Sequence, residues 1–227
     1  AGALEGIGSV SERLPDTRWP YRVRAFLLKS FGREEEAAED ERKAASLRSP
    51  HPDFYEVQID GILAFHSADY AKAVEAFDEL IRRRPDSADE RLWRASAYEE
   101  LAQPLKAMTD YEVAAALKPN DVVSRVNLAG LKTQTGALEE ADQLLRRALQ
   151  ADPGNARVHE SLSANLLEQG RRKVSDQDPA AAGKLFAQAE AEAREALKAD
   201  PNLAWAQVNL GASLMEQNPQ DPGPRRV

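Results

Sequence analysis

The sequence predicts an all-α fold in which one helical hairpin is repeated along the chain. Pro85, Pro119 and Pro153 are spaced 34 residues apart, and each follows a helical run rich in alanine or arginine. Three further series keep that interval, one of small residues, one of alanines and one of bulky apolar residues: Gly61, Ala95, Ala129 and Ser163; Ala73, Ala107 and Ala141; Phe77, Tyr111 and Leu145. A fixed period of this length is typical of a solenoid, in which each hairpin buries its apolar face by stacking on its neighbours.

Each periodic position has a physical role in such a hairpin. Apolar or small residues three and four apart, such as Val57, Gly61 and Ala64, give a helix one apolar face. The small residues let two helices approach closely, and a bulky residue such as Phe77 fills the space above them. Proline ends the second helix because it lacks the backbone N–H that the helix needs.

The last repeat of the series is longer than the others. The next proline in phase, Pro201, follows after 48 residues, which is one period plus a 14-residue insertion. Asp178 before Pro179 is a helix-start signal, so the second helix of this repeat is predicted to be longer than its equivalents. Its extra turns are expected beside a basic loop at 171–173, as a solvated hairpin or as a dedicated docking element.

These repeated residues resemble those of the tetratricopeptide repeat (TPR) family, which combines a small residue in the first helix, an alanine and an aromatic residue in the second, and a closing proline. The resemblance implies a right-handed superhelical α-solenoid whose first helices line a concave surface. The predicted organisation is an N-terminal segment, 1–17; a degenerate TPR-like repeat, 18–51; full repeats, 54–87, 88–121 and 122–155; a repeat with the 14-residue insertion, 156–203; a terminal first-type or capping helix, 204–217; and a tail or linker, 218–227.

The two ends of the array are less regular than its middle. In the repeat at 18–51, Glu41 occupies the place of the bulky apolar residue, and two extra residues follow near His51. The ends of a solenoid need polar covers because the outermost repeat has no neighbour on one side. The helix at 204–217 fits such a cover or a chain cut within the array.

The composition argues against several kinds of binding partner and several kinds of reactive or metal-binding site. The formal net charge of −8 disfavours nucleic acids and anionic membranes, which bind basic surfaces. The sequence has no cysteine, which removes disulfides, thiolate nucleophiles and Cys-ligated zinc. No stretch approaches the ~20 apolar residues of a membrane span, and the first residues lack the pattern of a signal peptide. Cytoplasmic and periplasmic locations both stay open.

The resemblance places the ligand against the inward side chains of the first helices. Asn127 and Asn209 match an asparagine with which the family holds the ligand backbone, since an amide both donates and accepts hydrogen bonds; the alternative is two ordinary surface asparagines. The early repeats place apolar side chains there, either as an exposed patch or as a surface covered by the next repeat or by the segment before residue 18: Trp19, Val23, Phe26, Tyr55, Ile59, Ile62, Phe65, Leu92 and Trp93. The predicted partner-binding groove comprises Tyr55, Ile59, Ile62, Phe65, Trp93, Asn127, Arg157 and Asn209.

The same face becomes acidic farther along the chain. It carries five carboxylates, one cation and one glutamine: Glu99, Glu100, Glu160, Glu168 and Glu216; Arg157; and Gln134. A groove with an apolar N-terminal half and an acidic C-terminal half favours a protein or peptide that carries Lys or Arg beside an apolar anchor. The family's cationic clamp for acidic chaperone tails is missing, because the equivalent places hold Gln58, Ile62, Trp93, Val123 and Asn127.

Two pairs of polar residues recur at single positions of consecutive repeats. Asp60 and Arg94 share a normally apolar position, which predicts a partly buried ion pair between them. His66 and Glu100 share another, which predicts a simple polar contact in preference to a metal site. No catalytic residue, metal or cofactor is predicted, since the three histidines are far apart and no nucleophile or phosphate motif accompanies them.

The sequence therefore predicts a scaffold or adaptor without enzymatic activity, which binds a partner peptide or helix in its concave groove. The alternative is a regulatory or substrate-docking region of a larger bacterial enzyme, such as a signalling kinase or a transferase. Self-association through the open end of the array, at the last helix, is a further expectation.

Overall fold

The computed structural model describes residues 2–47 and 53–218, and every regular element in these ranges is an α-helix. The helices are α1 Gly2–Arg13, α2 Arg18–Ser30, α3 Glu34–Ser46, α4 Phe54–His66, α5 Tyr70–Arg83, α6 Ala88–Glu100, α7 Pro104–Leu117, α8 Val122–Gln134, α9 Leu138–Ala151, α10 Ala156–Ser175, α11 Pro179–Ala199 and α12 Ala204–Gln217. The predicted all-α class is confirmed. None of these helices combines the length and apolarity needed to cross a membrane. His51 and residues 219–227 of the predicted tail lie outside the described ranges.

The periodic residues set where the helices begin and end. Asp53 and Asp121 start α4 and α8, and each carboxylate accepts a hydrogen bond of 2.8 Å from the backbone N–H three residues later. Helices α5, α7, α9 and α11 each stop two residues before one of the in-phase prolines. Proline disfavours the helical conformation at the residue before it, so these endings follow directly from the repeat.

Inside each hairpin the chain reverses through one residue in the left-handed conformation. Glycine takes this position after α2 and α8, at Gly32 (φ 72°) and Gly136 (φ 82°). Ala68 (φ 58°), Ala102 (φ 53°) and Gln177 (φ 60°) take it in the other hairpins. A residue with a Cβ atom is strained there by roughly 1–2 kcal/mol. Three of the turns therefore hold strain that glycine would relieve.

The chain divides into two compact units, Ala1–Ala107 and Met108–Val227. In the first unit, α1 packs on α2, α2 pairs with α3, α4 pairs with α5, and α6 packs against both α4 and α5. Arg24 on α2 joins three of these helices, because its guanidinium donates two bonds of 2.6 Å to Asp40 on α3 and one of 2.9 Å to Ser11 Oγ on α1. Asp40 is buried, so this ion pair lies inside the first hairpin.

The alanine and bulky positions of the repeat form the interior of the hairpins. Six of these residues have no exposed surface: Ala73, Ala107, Ala141, Phe77, Tyr111 and Leu145. The small position has the expected close approach, since a Cβ atom added to Gly61 would lie 3.0 Å from the Phe77 ring. Packing of a small against a large side chain therefore holds the hairpin of α4 and α5 together.

In the second unit, α8 pairs with α9, α10 pairs with α11, and α12 packs on α11 and α10. The insertion is shared between two helices: α10 has 20 residues where α8 has 13, and α11 has 21 where α9 has 14. The second helix is longer than its equivalents, as predicted, and the first helix is lengthened by the same seven residues. The predicted basic loop at 171–173 is wrong, because these residues lie within α10. Seven residues make nearly two turns, so both buried faces stay in phase.

Candidate functional site

In the first unit, α4 and α6 present the apolar part of the predicted groove. The exposed fraction of Tyr55 is 64%, the largest on this surface. The other apolar residues predicted here are half-buried: Trp19, Val23, Phe26, Ile59, Ile62, Phe65, Leu92 and Trp93. We call Tyr55, Ile59, Ile62, Phe65 and Trp93 the aromatic face.

The rings of the aromatic face are fixed by contacts within the unit. Phe65 makes edge contacts with Trp93 and Tyr70, at centroid distances of 5.3 and 5.4 Å. Trp93 also stacks on the buried Phe77 at 6.1 Å. The next helix pair therefore covers part of this surface, as the alternative interpretation expects. The segment before residue 18 packs against α2, where Leu4 meets its buried side chains.

The two residues of the predicted ion pair have other partners in the structure. Asp60 pairs with Arg18, at 3.2 Å, and with Arg22, both on α2. Arg94 instead pairs with Asp78 on α5. The predicted Asp60–Arg94 ion pair is therefore wrong, because the Asp60 carboxylate is turned towards the preceding hairpin.

His66 lies among aromatic rings. Its ring centroid is 5.8 Å from that of Phe65, 5.9 Å from Trp93 and 6.2 Å from Phe26. Burial and the charge of Glu100 raise the pKa of the Tyr70 phenol. Within residues 2–47 and 53–218, no three His, Asp or Glu side chains are grouped as metal ligands would be.

In the second unit, both predicted groove asparagines donate hydrogen bonds within the protein. Asn127 Nδ2 donates to the hydroxyl of Tyr111 at 3.2 Å, and Asn209 Nδ2 donates to the backbone oxygen of Glu160 at 3.2 Å. Asn209 is buried, Asn127 is half-buried, and Arg157 is exposed at the start of α10. A role of these three residues in binding a ligand stays a prediction.

The acidic part of the predicted groove is partly neutralised. Glu168 and Glu216 both pair with Arg171, at 2.6 and 3.0 Å. Burial raises the pKa of Glu160, an effect that the charge of Arg157 opposes. The carboxylate of Glu160 is therefore held in a surrounding that disfavours its charge.

The last helix exposes an apolar surface that the sequence reasoning missed. Trp205 and Met215 on α12 are 68% and 63% exposed, and Val208 between them is exposed as well. Their spacing of three and seven residues is a helical pattern that would have revealed this surface. Gly211 on the same helix has no other atom near its Cβ position. This side of α12 is therefore not a polar cover.

Comparison with known proteins identifies the repeats. A tetratricopeptide repeat family model matches residues 102–166. The small glutamine-rich tetratricopeptide repeat-containing protein 2 of Mycosarcoma maydis is 24% identical over 134 residues, which make up 59% of this chain. The matched part is 38% of the length of that protein.

Solved structures show the same fold. YrrB, described as a TPR protein with an unusual peptide-binding site, has a TM-score of 0.55 and 20% identity, and the match covers 90% of this chain and 97% of YrrB. A TPR protein of Thermus thermophilus has a TM-score of 0.59 and 16% identity, with 88% of this chain and 100% of that chain covered. The Cut9–Hcn1 hetero-tetramer of the APC/C gives a TM-score of 0.67 and 16% identity, with 94% of this chain and 39% of that chain covered. The chain therefore has the fold of tetratricopeptide repeat proteins, and residues 102–166 match the model of that family, as the periodic residues of its sequence predict.

Proposed function

We propose that this protein is an interaction scaffold that binds a partner peptide or helix, and that the aromatic face of the first unit is a contact surface. The observation that carries the proposal is Tyr55, a large aromatic side chain that is 64% exposed beside the fixed rings of the face. Aromatic anchors in such positions contribute strongly to protein interfaces. The peptide-binding site named for YrrB, a protein of the same fold, supports the proposal.

The charge of the chain favours a partner with basic residues. The formal net charge is −8, so Lys or Arg side chains beside an apolar anchor are attracted to this protein. Arg157, Asn127 and Asn209 are proposed as additional contacts in the second unit. Because exposed charges are screened by salt, we expect the association to slow as ionic strength rises.

A peptide-display selection tests this proposal. Peptides selected on the full chain should combine an aromatic or aliphatic anchor with Lys or Arg. We expect Tyr55→Ser to weaken a selected peptide by about tenfold, which corresponds to ~1.4 kcal/mol and is typical of a moderate interface contact. Fluorescence anisotropy with a labelled peptide measures the change in affinity.

Phe31 provides a matched control, because it is also aromatic and 57% exposed but lies at the end of α2, outside the aromatic face. Phe31→Ser should leave the affinity unchanged. Equal losses in the two variants, or no loss with Tyr55→Ser, would show that the aromatic face is not the contact surface.

A second candidate is self-association through α12. Its exposed Trp205, Val208 and Met215 form an apolar strip with no helix of the described chain against it. Sedimentation velocity over a range of concentrations tests this. We expect the wild-type chain to show a concentration-dependent dimer and Trp205→Glu to stay monomeric; a wild-type chain that is monomeric at all concentrations rejects the candidate.

A further inference from the structure

The first hairpin lacks the bulky side chain that fills the others. Phe77, Tyr111 and Leu145 occupy the equivalent position in later hairpins and are fully buried. In the first hairpin this position is Glu41, whose side chain is 53% exposed and pairs with Lys29 at 2.6 Å. A carboxylate does not fill an apolar interior, because burying its charge is unfavourable. The space that the other hairpins fill is therefore left open here.

A cavity of 290 Å³ lies at this place, between α2, α3 and α4. Its lining includes the apolar side chains of Ala25, Phe26 and Leu63. It also includes the cations Arg18, Arg22 and Lys29 together with Glu41. Cavities of similar size bind small organic molecules, and a mixed lining of this kind suits a molecule with one apolar and one charged end.

The charged residues that line the cavity have fewer close anions than cations. Arg18 and Arg22 share the carboxylate of Asp60, and Lys29 pairs with Glu41. The Nε of Arg18 is buried and has no hydrogen-bond partner among the described residues. Burial lowers the pKa of Arg22, and the charge of Arg18 lowers it further, against the opposing charges of Glu56 and Glu41. An added anion would relieve this repulsion.

We propose that this cavity binds a carboxylate that carries a short aliphatic chain, with the carboxylate at Arg18 and Arg22 and the chain against Phe26 and Leu63. The space corresponds to about ten water molecules at ~30 Å³ each, enough for a short chain and its carboxylate. Such a group occurs in a small organic acid and at the C-terminus of a peptide that ends in an aliphatic residue. Inorganic phosphate would leave the apolar wall in contact with water.

Isothermal titration of the full chain with hexanoate, hexanol and inorganic phosphate tests the proposal. Hexanoate should bind at least about tenfold more tightly than hexanol, because only the acid makes charge-assisted hydrogen bonds with the arginines. Phosphate should bind more weakly than hexanoate. Arg22→Gln should weaken hexanoate by about tenfold, whereas Arg82→Gln, which removes an exposed cation of α5, should leave it unchanged.

Glu41→Phe is the decisive variant, since it supplies the side chain that Phe77 provides in the next hairpin. The ring should fill the cavity, abolish hexanoate binding and raise the melting temperature, so the loss of binding cannot be attributed to unfolding. Tyr55→Ser should leave hexanoate binding intact, which separates this site from the aromatic face.

Two peptides that end in leucine, one with a free carboxylate and one amidated, distinguish the sources of the ligand. If the free-acid peptide binds more tightly than hexanoate and the amide does not, a peptide C-terminus is the occupant; if hexanoate binds more tightly, a small acid is. Equal affinities for hexanol and hexanoate, full binding by Glu41→Phe, or no binding of any carboxylate would overturn the proposal.

Discussion

Replacing Gly170 with alanine tests the close approach of α10 and α11 in the second unit. A Cβ atom at this position of α10 would lie 2.4 Å from Cε1 and 2.7 Å from Cδ1 of Phe186 on α11. Carbon atoms in favourable contact are about 3.5–4.0 Å apart, so the ring or the helix would have to move by more than about 1 Å. Phe186 is buried and has little room to do so.

The expected loss follows from two opposing effects. Overpacking a rigid interior lowers the free energy of unfolding by about 1–3 kcal/mol, and this contact is at the severe end of that range. Alanine is the better helix former by about 0.8–1.0 kcal/mol, which offsets part of the loss. We therefore expect Gly170→Ala to lower the free energy of unfolding by about 2 kcal/mol.

Urea unfolding followed by circular dichroism measures this change, with Gly183→Ala as the matched control. Gly183 lies in α11, is exposed and has no atom within 4 Å of its Cβ position. Its replacement should raise the free energy of unfolding by about 0.5–1 kcal/mol through helix propensity alone. On a Phe186→Leu background the loss from Gly170→Ala should shrink, because the smaller side chain leaves space. If the Gly170→Ala protein is as stable as the Gly183→Ala protein, the close approach of α10 and α11 at Gly170 is refuted.

Three further changes test other features of the fold. Ala68→Gly should raise the free energy of unfolding by about 0.5 kcal/mol in thermal melts, because relief of left-handed strain exceeds the gain of chain entropy on unfolding; a loss would show that Ala68 is not strained. Glu160→Gln should raise the melting temperature at pH 7, with a gain below about 1 kcal/mol because the group is partly exposed. Burial raises the folded-state pKa of Glu160, so the wild-type protein loses stability as pH rises through that pKa. The stability gained by Glu160→Gln should therefore vanish at pH below about 4, where the carboxyl group is protonated in both states. The same gain from Glu75→Gln, at an exposed position of α5, would attribute the effect to net charge instead. Asn165→Ala should lower the free energy of unfolding by about 2–3 kcal/mol in urea melts, since its buried amide donates to the Leu138 backbone at 3.0 Å and accepts from Thr133 at 3.1 Å; an unchanged midpoint would contradict this.

The helical hairpins were predictable because their signals are local and repeated. A proline such as Pro119 ends the helix that precedes it, and only a small residue such as Ala95 fits where two helices meet closely. The same 34-residue interval in four kinds of position fixed the period without knowledge of any contact. This is why the all-α class followed from the sequence.

Contacts between hairpins were less predictable because they depend on side-chain direction. Asp60 and Arg94 share a repeat position, yet Asp60 meets Arg22 of the preceding hairpin. The first hairpin is degenerate, so its arginines gave no periodic signal. The division of the insertion was missed because Gly170, 34 residues after the turn glycine Gly136, lies inside α10 instead of ending it.

The close approach of Gly170 to Phe186 was likewise invisible in the sequence. The 34-residue interval pairs Gly170 with the turn glycine Gly136, whereas in the structure Gly170 lies within the lengthened α10. The exposed strip on α12 did have a signal in the sequence, because the spacing of Trp205, Val208 and Met215 places them on one face of a helix.

The equal lengthening of α10 and α11 shows how a hairpin of this kind can change its reach without disturbing the rest of the protein. Seven residues turn a helix through almost two full circles, with a shortfall of only about 20°. An insertion of four residues in one helix would rotate every later side chain by about 40° and expose part of the core. A matched pair of seven-residue insertions therefore moves only the tip of the hairpin, and such steps are the natural unit in which repeats of this type can vary in length.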